Sequence, residues 1–246
     1  MRRDIKDWGG NIVAFLLVIV MNVLSNALPI NNQTMSAISA KYPSLFTPAG
    51  FTFSIWGVIY LLLLVFVIYQ SLPSQRDNQA IAGISRLFQI NCIANALWIV
   101  VWHYDFLALS VVVMLGILVS MILIYKRLLD ESVILRLPFS LYTAWICVAT
   151  IANISALQNA NGWDDIGLSA VQWTLVKLAL TGAIGATVIV KLRDIGFILV
   201  IAWATYGISV MQADTPAVAG SALTLCLLAL LLGVSEIWRR FWGNRT

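Results

Sequence analysis

Long apolar runs alternate with short polar connections along almost the whole chain. The pattern predicts eight helices, at about 11–29, 50–70, 82–101, 106–125, 135–157, 168–190, 195–211 and 217–237. The runs are continuous rather than alternating residue by residue, so in lipid their backbones satisfy themselves as helices and not as a β-barrel. The longest break, INNQTMSAISAKYPSLFT between the first two runs, is polar yet carries a single charge, Lys41. It reads either as a lid over a pocket or as a passive connector.

Composition makes lipid the solvent. Of 246 residues, 61% are hydrophobic and 11% charged, with a mean hydropathy of +0.90; a soluble domain carries about 25% charged residues. The expected fold class is therefore an all-α integral membrane protein, with the bilayer as its first partner.

Charge then sets the orientation. With the N-terminus cytoplasmic, Arg2, Arg3, Lys6, Arg76, Arg86, Lys126, Arg127, Arg136, Lys191, Arg193, Arg239, Arg240 and Arg245 all fall on the cytoplasmic side. Lys41 is then outside and Lys177 within a span. This asymmetry predicts eight spans with both termini inside. The net charge of +4 is accounted for by topology, so no nucleic-acid partner is expected. The same asymmetry, without a transit-peptide pattern, favours a bacterial-type plasma membrane over an organelle. One alternative is that the first run, ending in Ser25-Asn26-Ala27, is a cleaved signal peptide, which would leave seven spans.

The remaining composition adds little chemistry. Cys92, Cys147 and Cys226 lie within predicted spans without ligand-like spacing, so they read as small buried residues and no metal site is expected. In the sixth span Ala179, Gly182, Ala183, Gly185 and Ala186 form a small-residue stripe. It serves packing within the bundle or, alternatively, a homodimer seam. Among ten tryptophans, Trp8, Trp102, Trp163, Trp238 and Trp242 fall near span ends, as interfacial anchors do. Trp56, Trp98, Trp145, Trp173 and Trp203 fall deeper, where each indole N–H needs a partner or a wet cavity.

Three spans place polar and aromatic residues on one face. In the third, Asn91, Asn95 and Trp98 stand at i, i+4 and i+7. Carboxamides at membrane depth are costly unless paired, so they either clamp helices or face a ligand. In the fifth, Trp145, Ala149 and Asn153 would suit one wall of a slot for a planar ligand. In the second, TPAGFTFSIWGVIY puts Phe53, Trp56 and Tyr60 on one face, with Pro48 shaping the helix entry.

These motifs resemble those of the tryptophan-rich sensory protein family, TspO, related to the mitochondrial translocator or peripheral benzodiazepine receptor. The second-helix pattern matches at Pro48, Trp56 and Tyr60. The third-helix pattern resembles Asn91, Asn95 and Trp98, and the fifth resembles Ala144-Trp145, Val148-Ala149-Thr150 and Asn153. The resemblance covers about residues 11–160 and implies a five-helix core with a cavity beneath the first loop. Residues 1–160 are thus expected to form a ligand-binding core, and 161–246 a three-helix extension without a counterpart in it.

By resemblance the ligand is a small planar hydrophobic molecule, a porphyrin or haem first among them, bound for sensing, regulation or transport rather than as an obligatory cofactor. Trp56, Asn95, Trp98, Trp145, Ala149 and Asn153 are the implied pocket residues. Trp145 matches a tryptophan implicated in light-dependent porphyrin breakdown; no independent catalytic constellation accompanies it, so an enzyme is not the leading expectation. Thr47, Ser54 and Asn91 depart from the family pattern and bear on ligand identity more than on fold.

Two features fall outside the core motifs. Lys177 sits mid-span, where an ammonium costs about 3 kcal/mol on insertion scales. It can meet a ligand carboxylate, form a Schiff base with an aldehyde, or serve structurally by snorkelling or bonding to carbonyls. It also motivates an alternating-access transporter of a small amphipathic solute, although no inverted repeat is evident. His103, the sole histidine, is read as a loop residue in an interfacial aromatic cluster, or as an axial haem ligand.

Overall fold

The computed structural model describes residues 4–28, 30–163 and 165–242. Arg2, Arg3, Arg245 and Asp164 lie outside the described residues. All regular elements described are helical: α1 (Ile5–Ala27), α2 (Met35–Lys41), α3 (Ile55–Ser71), α4 (Gln79–His103), α5 (Leu107–Arg127), α6 (Val133–Ala160), α7 (Ala170–Leu192), α8 (Ile195–Met211) and α9 (Pro216–Trp242), with three short 3-10 turns between them.

Each predicted span corresponds to a helix, and α2 is an addition within the connection between α1 and α3. Seven described helical stretches are long and apolar enough to cross a membrane, α3 only together with the 3-10 turn before it (Gly50–Ser71); α8, with 17 residues, is apolar but shorter. A helix needs about 20 residues to span hydrocarbon. Polar caps fix several starts. Asn78 accepts from the Ile81 backbone N–H, Asp194 from Phe197, and Ser169 with Gln172 forms a reciprocal capping box, satisfying N–H groups that have no partner within the helix.

The chain forms two compact units: Met1–Lys41 with Ile55–Ile146, and Tyr42–Ser54 with Cys147–Thr246. In the first unit, Phe66, Phe88 and Phe139 meet edge to face, with centroids 4.9–5.9 Å apart, and tie α3, α4 and α6 together. Nearby, the Asn11 side chain lies 2.9 Å from Gln70 Oε1 and 3.1 Å from Ser85 Oγ, and Gln89 Nε2 reaches it at 3.1 Å. Asn11, Gln70 and Ser85 are buried, so this network holds α1, α3 and α4 in one register.

In the second unit two glycines of α7 are used for packing, while Ala179 and Ala183 are exposed. A Cβ on Gly182 would stand 2.8 Å from a Leu225 methyl of α9, and one on Gly185 would stand 3.0 Å from Ile198 of α8. The absent side chains let the three helices approach closely. Glu236 is buried and accepts from Arg240 Nε at 3.2 Å, while Arg240 also donates to the Arg193 carbonyl.

Candidate functional site

Within the first unit, α3 and α6 bring three rings together around Trp56. Tyr60, one turn on, stacks on it at 5.3 Å; Tyr142 and Trp145 of α6 meet it edge-on at 5.6 and 6.3 Å. The i, i+4 spacing of Trp56 and Tyr60 places them on one stripe of α3. Tyr142 and Trp145, at i, i+3, do the same on α6.

Amides from two further helices meet this cluster. Asn95 Nδ2 of α4 donates to the Tyr142 hydroxyl at 2.9 Å, and Asn22 Nδ2 of α1 donates to Asn95 Oδ1 at 3.3 Å and to Val18 O at 2.9 Å. Asn95 and Tyr142 are buried. The Tyr60 hydroxyl is also enclosed and lies beside Asn22 without a hydrogen bond of good geometry. A polar rail thus runs from α1 through α4 to α6 at the edge of an aromatic wall. Such a surface can stack a flat ring system and orient it through a few hydroxyl and amide groups.

Asn91, one turn before Asn95, is used differently. Its Nδ2 donates to Ser120 Oγ at 2.8 Å and Ile117 O at 3.2 Å on α5. It is a clamp between α4 and α5, the alternative its sequence position had left open. Trp98 stacks on Trp102 at 5.5 Å. Trp102 is only 6% exposed, so it is not the interfacial anchor that its span-end position suggests; the α4 face that carries Trp98 extends one further turn and takes it inward.

A family model described as TSPO-like protein matches residues 8–235. The chain belongs to this TSPO-like family. No curated protein and no solved structure matches it. The family match and the seven long apolar helices make it an integral, multi-pass membrane protein. The match runs through α7 and α8 and into α9, so these helices are included in what the family model describes.

The other anticipated site residues of this TSPO-like chain belong to the second unit. Ala149 and Asn153 follow Trp145 at four-residue intervals on α6, and Asn153 is buried. Phe53 falls in the 3-10 turn Gly50–Ser54 and is 42% exposed. The α-helical face of Trp56 and Tyr60 begins only at Ile55, so Phe53 precedes it. Lys177 is buried on α7; Thr181 Oγ1 donates back to its carbonyl, and Trp173 Nε1 donates to Ile166 O at 3.2 Å.

His103 is the last residue of α4 rather than a loop residue, and it is fully buried, with Nδ1 2.7 Å from Ile99 O. Its carbonyl accepts from Asn31 at 3.0 Å and Gln33 at 3.2 Å. Asp105, in the following turn, receives Lys41 Nζ at 2.6 Å and Gln33 Nε2 at 3.3 Å. The N-terminal part of the α1–α3 connection is therefore strapped to the α4–α5 turn.

Sequence reasoning missed Asn22 and Tyr142. Asn22 carried a usable signal, being a carboxamide inside an apolar run, the same criterion that singled out Asn91 and Asn95. Tyr142 carried none, because a tyrosine in a span is as often an interfacial anchor as a buried donor.

Proposed function

We propose that this TSPO-like protein binds a planar hydrophobic ligand at the aromatic and amide face of its first unit, for sensing, regulation or transport. The carrying observation is the grouping of Tyr60, Tyr142 and Trp145 around Trp56, bordered by the Asn22–Asn95–Tyr142 rail. A tetrapyrrole fits this reading best, since its wide π-face matches stacked and edge-on rings. Titration of purified protein with protoporphyrin IX or haem should quench tryptophan fluorescence and shift the Soret band. Neither change, under conditions where a family member of known porphyrin affinity responds, overturns the reading.

The basic residues support a plasma membrane of bacterial type with both termini cytoplasmic. Cysteine labelling from each side of oriented vesicles, at positions 41 and 191, tests it: label reaching both positions from the same side rules that topology out.

A second reading, movement of a small amphipathic solute, is favoured by the buried mid-helix Lys177 of α7. Uptake into proteoliposomes lost in Lys177→Ala supports it, and uptake no greater than in empty vesicles removes it.

A further inference from the structure

The second unit contains an attachment that neither the porphyrin reading nor the core motifs require. The stretch Ala49–Ser54, just before α3, is seated on α8. The Ala49 N–H donates to the Gly207 carbonyl at 3.0 Å, and Trp203 Nε1 donates to the Thr52 carbonyl at 2.9 Å. The Phe51 ring lies edge-on to Trp203 at 5.4 Å and tilted against Tyr206 at 6.0 Å. Thr52 is fully buried, and a Cβ at Gly207 would lie 2.9 Å from both Thr52 Cβ and Cγ2 and closer still to its hydroxyl.

These contacts form a clasp with a defined chemistry. Helix backbone carbonyls normally bond within the helix, so a carbonyl that also receives Ala49 requires the incoming chain to lie directly against the helix. Only a residue without a side chain permits that approach. The indole N–H supplies a donor to the carbonyl of the buried Thr52, where water is scarce and an unmet acceptor is costly. The 3-10 turn held in this way runs without a break into α3, which carries Trp56 and Tyr60.

We infer that α8 is a dock for the segment Ala49–Ser54, and that Gly207 and Trp203 are the residues that hold this segment in its 3-10 turn.

The test uses the full-length protein in nanodiscs. In Gly207→Ala the new methyl collides with Thr52, and hydrogen exchange over residues 42–54 should rise by about tenfold while exchange in α4 and α5 stays unchanged. Adding Thr52→Ala, which removes the hydroxyl and Cγ2 but keeps Cβ, should restore part of the protection, and Thr52→Gly, which removes Cβ too, should relieve the collision. Trp203→Phe, which keeps the ring and removes the donor, should give a smaller rise at the same peptides. It also covers the case in which Gly207→Ala fails to fold.

Unchanged exchange over 42–54 in the folded variants, or a rise spread evenly over all helices, overturns the dock.

Discussion

Asn95 Nδ2 donates to the Tyr142 hydroxyl at 2.9 Å and so joins α4 to α6 beside the Trp56 cluster. Both residues are buried, so neither has water as a substitute partner. Tyr142→Phe should destabilise the protein by about 1–3 kcal/mol, because it leaves the amide with an unmet donor. Thermal unfolding in detergent should show a lower midpoint for Tyr142→Phe and for Asn95→Ala, and the two losses should not add.

Trp56 is the ring on which the other three converge. Trp56→Ala should weaken protoporphyrin binding by about tenfold or more, and Trp56→Phe by less, since each aromatic pair contributes about 0.5–1.5 kcal/mol beyond area. Fluorescence titration reads both. Equal affinity in all three proteins would mean that the ligand does not use this wall.

Asn91 and Asn95 lie one turn apart and should separate by phenotype. Asn91→Ala breaks the clamp to Ser120 and Ile117, lowering stability by about 1–3 kcal/mol while leaving ligand affinity in the folded fraction unchanged. Asn95→Ala should lower both. A loss of affinity in Asn91→Ala matching that of Asn95→Ala contradicts this division.

Lys41 and Asp105 form an ion pair with side chains 48% and 25% exposed. Such pairs are worth little, about 0–1 kcal/mol, so Lys41→Met should leave the unfolding midpoint nearly unchanged. Asp105→Ala should act more strongly on the α1–α3 connection, because it also removes the Gln33 acceptor and places alanine at a φ of 59°, a left-handed conformation that alanine adopts poorly. Limited proteolysis between residues 30 and 41 should accelerate in Asp105→Ala and hardly at all in Lys41→Met.

Gly182 faces Leu225 across α7 and α9. Gly182→Val overfills that contact and should cost about 1–3 kcal/mol, with the oligomeric size by light scattering unaltered. A change in size at constant stability would point to a seam between copies instead.

The helices were largely legible in the sequence because each run of about 20 apolar residues has one outcome in lipid. Of the small-residue stripe of α7, Gly182 and Gly185 meet Leu225 and Ile198, whereas Ala179 and Ala183 are exposed; composition does not say which way each residue faces. The face of Trp56 and Tyr60 followed from spacing, whereas Phe53 did not join it, because the 3-10 turn before Ile55 ends α-helical register. Trp102 misled for a related reason: distance along a span says how deep a residue lies, not which way it faces.

By itself the sequence determined the solvent, the helical class, the family and which helices carry aromatic and amide residues. Those properties follow from local composition and periodicity. Only the tertiary structure decided that Asn91 clamps while Asn95 meets Tyr142, that Asn22 completes their rail, and that TPAGF rests on Gly207 and Trp203 more than 150 residues away. Hydrogen bonds and close backbone approach act over about 3 Å, and residue spacing within one helix does not specify which side chain of another stands at that distance.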